Sequence, residues 1–197
     1  MTLILMSKLI LAVVGLPGSG KTEVINYLMQ KLSCPKVYFG DIVMDELKNQ
    51  GLEVNEVNER KIRESLRETY GMAAMAIKSL PKIKDALVTN NHLLVESLYS
   101  WEEYLILQEE FGDDFKTLAV YASPATRYAR LHQRPVRPLT EAEARSRDYS
   151  QITNLRQAGP ISIADYTVIN EGTMEELYVQ VDKLATKLNL KSLPQVV

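Results

Sequence analysis

Lys8-Leu9-Ile10-Leu11-Ala12-Val13-Val14, followed at once by Gly15-Leu16-Pro17-Gly18-Ser19-Gly20-Lys21-Thr22, decides how the rest of the chain is read. The first half is a short, nearly all-apolar run with β-branched residues, the pattern of a central parallel strand buried on both faces. The second half satisfies G-x-x-x-x-G-K-[ST]. In that pattern the loop amides surround phosphate oxygens, the lysine reaches the β- and γ-phosphates and the hydroxyl reaches Mg²⁺. Val24, Ile25, Leu28, Met29 and Leu32 then recur at helical spacing. Strand, loop and helix therefore come in the order a phosphate site needs, with the positive helix end aimed at the anion. Gly15, Pro17, Gly18, Ser19, Gly20, Lys21 and Thr22 are the expected nucleotide-binding residues.

The 197 residues have room for one domain carrying at most a small mobile insert, and 46% hydrophobic with 24% charged residues is ordinary globular composition. A formal net charge of −2 argues against a general nucleic-acid binder. Six of the ten arginines nevertheless fall between Arg127 and Arg147, a local excess that suits an anionic ligand. The single cysteine, Cys34, excludes an internal disulfide and a cysteine-based zinc site. The apolar start merges into the first strand rather than reading as a cleavable leader, and no apolar run approaches the roughly 20 residues that span a bilayer. A cytoplasmic protein with no membrane partner is expected.

Along the chain, Lys36 to Phe39 is a second strand candidate ending at Gly40-Asp41, and Ile42 to Asn49 a brief helix. Glu56 to Tyr70 reads as a helix stopped by Gly71, with Arg60, Arg63 and Arg67 on one face. There Glu56 with Arg60 and Glu59 with Arg63 are the expected ion pairs, and Arg67 is the arginine expected to meet an anionic substrate. Gly71 to Leu87 is helical but should kink or split at Pro81. His92 to Glu96 is a third strand, again ending in a carboxylate. Ser100-x-x-Glu103, Thr140-x-x-Glu143 and Thr173-x-x-Glu176 are capping boxes that open helices. Phe115 to Tyr121 and Tyr166 to Ile169 complete five strands, and residues 191–197, which lack periodicity, are expected to fray. A helix carrying Arg127, Arg130 and Arg134 is joined by a Pro-rich turn to one running from Glu141 towards Gln157, a flap over residues 127–147. Strands alternating with helices predict a three-layer α/β fold with a five-stranded, mainly parallel sheet.

With these residues in hand, the chain resembles P-loop kinases of the nucleoside monophosphate kinase group. It is most similar to dephospho-CoA kinase and to a family related both to it and to adenylate kinase. The resemblance runs over nearly the whole chain, residues 1–197 as a single kinase domain, and includes Leu66-Arg67-Glu68-Thr69-Tyr70-Gly71 and Ala164-Asp165-Tyr166-Thr167-Val168-Ile169-Asn170-Glu171-Gly172. It implies ATP and Mg²⁺ as cofactors, a P-loop fold with a helical lid, and Asn170 and Gly172 beside adenine. Two stretches depart from it. Glu96-Ser97-Leu98-Tyr99 stands where an Asp-Gly-x-Arg stretch is common, and Gly40-Asp41-Ile42-Val43 keeps one acid of an Asp-x-Asp pattern.

The implied reaction is phosphoryl transfer to a small nucleotide-like or CoA-precursor acceptor, which needs placement and charge neutralisation above all. Lys21 would bridge the phosphates and Thr22 would ligate Mg²⁺. Asp41 would serve as base, Glu96 would stand on the metal side and near the acceptor, and Arg130 and Arg134 would hold phosphate or adenine from the flap. Arg130 with Arg134, and Arg127 with Arg130, would share a helix face. Arg134, Arg145 and Arg147 compete between phosphate and pairing with Glu141, Glu143 or Asp148. A nucleotide-dependent ATPase or switch, or a degenerate kinase acting as a binding module, is the alternative. No N-K-x-D element supports a GTPase, and a ring-forming AAA ATPase would call for a helical domain that 197 residues do not accommodate.

Overall fold

The structure, a computed structural model, describes residues 8–32 and 34–190; the segment expected to fray lies outside them. Five strands, β1 (Leu9–Val14), β2 (Lys36–Tyr38), β3 (His92–Glu96), β4 (Phe115–Tyr121) and β5 (Tyr166–Ile169), form one sheet in the order β2-β3-β1-β4-β5. Every pairing is parallel, with Leu11 opposite Leu94 and Val13 opposite Leu118. The apolar run that opens the site thus lies at the centre of the sheet. Its carboxyl end opens into the crevice where open α/β sheets place ligands.

The two-residue period of the strands divides the core into two halves. Leu11, Val13, Leu118, Val120 and Val168 face α1 (Lys21–Leu32) and α9 (Met174–Lys187), where Val24, Ile25, Leu28, Leu177 and Val181 are buried. Tyr27 of α1 stacks on Tyr178 of α9 with centroids 4.1 Å apart. Ile10, Ala12, Val14, Leu93 and Val95 face the other way, toward α2 (Asp41–Asn49), α3 (Glu56–Tyr70), α4 (Ala74–Thr89) and α5 (Trp101–Phe111). A short 3-10 turn, Gly112–Asp114, leads into β4. Three layers result, each fully buried Val or Leu contributing about 1.5–3 kcal/mol.

The three capping boxes form as read, opening α5, α7 (Glu141–Thr153) and α9. Pro81 does not split its helix. α4 runs unbroken, because Ala74, Met75, Ala76, Ser79, Ile83 and Leu87 anchor it to the core on both sides of the missing N–H. α6 (Pro124–His132) stops earlier than its arginine spacing suggests. Pro135 disfavours a helical conformation for the residue before it, so Arg134 lies past the helix and shares no face with Arg130. α7 likewise ends at Thr153, short of Gln157. A further short helix, α8 (Ala158–Ser162), then forms around Gly159-Pro160, since proline is tolerated in a first turn. Among the described residues no helix is long and apolar enough to cross a membrane.

Candidate active site

Three alternate carbonyls of the loop between β1 and α1 are held from outside by side chains of the C-terminal half. Gly15 O accepts from Gln157 Nε2 at 3.1 Å, Pro17 O from Arg127 Nη1 at 3.1 Å, and Ser19 O from Asn170 Nδ2 at 2.8 Å. Gly18 and Gly20 have φ of 79° and 99°, a region costly for other residues. A Cβ on Gly18 would sit 2.8 Å from the Arg127 carbonyl, and one on Gly20 would meet Asn170 Nδ2. Only glycine lets the flanking elements approach the loop so closely.

Lys21 Nζ donates to the carbonyls of Gly15 at 2.7 Å and Leu16 at 3.1 Å. Its pKa is lowered to about 8, by burial first and then by the positive charges of Arg134, Arg147 and Arg127, with Glu96 opposing them. Excess positive potential at a half-enclosed ammonium is what a polyphosphate would neutralise. Ser19 is buried with an unpartnered Oγ, and Thr22, in the first turn of α1, is exposed. These residues fit a polyphosphate. Among the described residues no group of three or more His, Cys, Asp or Glu is placed to hold a metal ion. Mg²⁺ would therefore be held by Thr22 and the phosphates it accompanies rather than by a protein cage.

The flap arginines differ in what they touch. Arg127 is buried and fully engaged, bidentate to Asp148 at 2.8 and 2.6 Å, with Nε donating to Ala122 O at 3.1 Å. It is a strut tying α6 to α7 and to Pro17, and sequence spacing carried no sign of its partner 21 residues on. Arg130 donates through Nη2 to Asn170 Oδ1 at 3.2 Å, while its buried Nη1 has no partner. Asn170, itself buried, thus joins Arg130 to Ser19. Arg145 pairs with exposed Glu141 and stands in the groove between α6 and α7. Arg134 and Arg147 are exposed and lack ion pairs among the described residues.

Glu171 is tied down. Its carboxylate accepts from Ser123 N–H and Oγ–H and from Thr126 Oγ–H, contacts that lower its pKa, Thr126 foremost. Gly172 follows in the turn before α9 and packs closely on Glu176.

A cavity of about 410 Å³ is bordered by α2, α3 and the segment after β3. Arg63, Arg67, Arg137 and Arg147 line it. Arg63 is occupied by Glu56 and Glu59, so the expected Glu59–Arg63 pair forms. Glu56 turns to Arg63 rather than Arg60, which takes Glu64 instead. Among the described residues Arg67 has no ion pair, and its buried Nε has no hydrogen-bond partner. Glu103 also lines the cavity. Its pKa is raised to about 7 by burial, although the N–H groups of Ser100 and Tyr99 and the charge of Arg67 favour its ionised form. The sequence marks Glu103 as a capping residue only.

The two strand-end acids part company. Glu96 is bound to Lys36 at 2.6 Å and stays within electrostatic reach of Lys21. Asp41 opens α2, exposed and without an ion pair among the described residues, next to the cavity-lining Phe39 and Gly40.

Known proteins resemble this chain in sequence and in fold. A sequence profile described as an AAA domain matches residues 11–151, from β1 through most of α7. A UPF0200 protein of Hyperthermus butylicus is 32% identical, over 92% of this chain and 95% of its own. Among solved structures, the shikimate kinase of Bacteroides thetaiotaomicron superposes with a TM-score of 0.57 at 15% identity, over 92% of this chain and 98% of that one. A gluconokinase of Sinorhizobium meliloti gives 0.54 at 15%, over 93% and 97%. The likeness to these two is one of fold, an α/β P-loop architecture shared with kinases. On the extent of the profile match and the identity along more than nine-tenths of its length, the chain belongs to the AAA domain family and to the UPF0200 proteins.

Proposed function

We propose that this protein is an ATP-dependent kinase that phosphorylates a hydroxyl of a small anionic acceptor, nucleotide-like or a CoA precursor such as dephospho-CoA. One observation carries the reading. Arg147 lines the arginine-rich cavity, and its charge also acts on Lys21, so one guanidinium serves both the cavity and the phosphate loop. Donor and acceptor would meet between them. The names of the two kinases whose fold it shares support a small-molecule acceptor.

In this reading the loop amides and Lys21 hold the β- and γ-phosphates, and Arg130 and Arg134 close over them from the 127–147 flap, excluding water. Mg²⁺, held by Thr22 with Glu96 on its outer side, would neutralise phosphate charge. Arg67 and Arg147, the cavity guanidiniums without carboxylate partners, take the acceptor's anionic group. Asp41, whose carboxylate is not committed to an ion pair, accepts the proton as the acceptor oxygen bonds to the γ-phosphorus and ADP leaves. Asn170 and Gly172 border the base of the nucleotide.

The test is ADP release from ATP·Mg²⁺ in the presence of dephospho-CoA, nucleosides or nucleoside monophosphates. A single acceptor class is expected to raise turnover, and Lys21→Ala to abolish it. Turnover indifferent to every acceptor but raised by a protein partner would replace the kinase with a nucleotide-dependent switch. For the effective acceptor, Arg67→Ala should raise KM by about ten- to a hundred-fold, the scale of a lost charged hydrogen bond, with ATP affinity unchanged. Steady-state kinetics in both substrates check this.

A further inference from the structure

Ser97 follows the last residue of β3 with φ of 68°, a left-handed conformation that glycine adopts freely and serine does not. Its hydroxyl gives the position a reason to be serine. Ser97 Oγ lies 3.0 Å from Tyr99 Oη, and it is also a hydrogen-bond partner of the Tyr38 hydroxyl at the end of β2. The Tyr38 ring reaches that place across Gly40, with Cζ only 2.3 Å from where a Cβ on the glycine would stand. Burial raises the pKa of Tyr38, and Tyr99, Glu96 and Asp41 add to the rise, so both strand-end acids act on this hydroxyl. Tyr38, Ser97 and Tyr99 line the same cavity as Arg67 and Arg147. Each hydroxyl carries an O–H and lone pairs that accept. Two hydrogen bonds among the three consume two O–H groups and leave one, and none of the three oxygens has a further partner among the described residues. An uncharged cluster that can still both donate and accept suits a ligand group that does the same, an alcohol.

We propose that Tyr38, Ser97 and Tyr99 are specificity-determining residues, which receive the sugar hydroxyls of a ribose phosphate whose anionic group Arg67 and Arg147 take. This assignment rests on the acceptor half of the reading above, in which nucleotide-like and CoA-precursor acceptors alike carry a ribose. The three hydroxyls tell such a compound from an anion of similar size without alcohols, because the deoxy compound leaves the remaining O–H facing no acceptor. The strained serine is kept for that contact rather than for the turn, which glycine would make more easily.

Calorimetric titration tests this with two probes, AMP and dideoxy-AMP, which lacks both ribose hydroxyls, each added to protein already saturated with ADP·Mg²⁺. The parent protein should bind AMP about tenfold more tightly than the dideoxy form. Tyr99→Phe should cut that preference to less than about threefold, with affinity for dideoxy-AMP changed less than about twofold. Ser97→Ala, which keeps the strained backbone and loses the hydroxyl, should do the same. Ser97→Gly should lose the preference equally and yet unfold at a higher temperature than Ser97→Ala, so that loss of the hydroxyl is separated from loss of stability. A parent-like preference in these variants would overturn the proposal. So would a parent protein that binds ADP·Mg²⁺ but binds the two probes equally, or neither of them. A parent protein with no affinity for ADP·Mg²⁺ would instead overturn the nucleotide reading, and the proposal with it.

Discussion

Lys21 shows what the sequence pattern leaves out. The motif specifies an ammonium near phosphate; the structure adds that this ammonium is destabilised, its pKa brought to about 8 by burial and three arginines. The sign follows from linkage. Phosphate contact favours the charged lysine, so nucleotide binding takes up a proton above pH 8 and weakens as pH rises. Affinity for ADP should fall about tenfold between pH 7 and pH 9, and the drop should vanish in Lys21→Met; calorimetry at the two pH values checks it. Without nucleotide the same group acts in the opposite direction. Between about 8 and its ordinary value near 10.5, unfolding takes up a proton, so this contribution to stability grows as pH rises. Gly15, Gly18 and Gly20 could be picked out from sequence because the loop geometry demands them. Gln157, Asp148 and the strut role of Arg127 could not, because their contacts join positions 21 to 142 residues apart with no periodic signal.

Elements were read well where a local rule fixes them and poorly where a neighbour does. Capping boxes and the Gly71 stop are local, and they appear where expected. Pro81 obeys the tertiary packing of α4 instead of its own propensity, and α8 forms from five residues with no pattern of their own. In α5 the cap does two jobs, since Glu103 closes the box and also lines the arginine-rich cavity. Its pKa of about 7 stands above the ordinary carboxyl value of 4.5. Folding therefore takes up a proton in that window, and the stability contributed by Glu103 is full below pH 4.5 and lost as pH rises through 7. Glu103→Gln retains a capping side chain and removes the titration. Thermal unfolding across pH 5 to 8 should show a flatter profile for the variant, the two proteins nearly matching at pH 5 and diverging most above pH 7.

At the scale of the molecule, the alternation of strands and helices sufficed for the sheet, because each parallel strand must be followed by a crossover. It did not show that the segment after β4 braces the phosphate loop through Arg127, Gln157 and Asn170. The brace depends on a buried ion pair, so removing one partner should be severe. Arg127→Met leaves Asp148 buried beside Tyr128 alone and should lower stability by about 3–5 kcal/mol. Arg127→Met with Asp148→Leu should regain most of it, yet bind nucleotide less tightly than the parent, because Pro17 O still lacks its donor. Denaturant unfolding and ADP titration of the same two proteins separate these effects.

The three donors that hold the loop all come from beyond residue 121, whereas the loop itself begins at residue 15. During synthesis the phosphate loop is made before any of the side chains that hold it in shape. A nascent chain cut short of Asn170 carries the whole motif without its full support. Competence to hold nucleotide would thus report that the chain has been made and folded through Asn170.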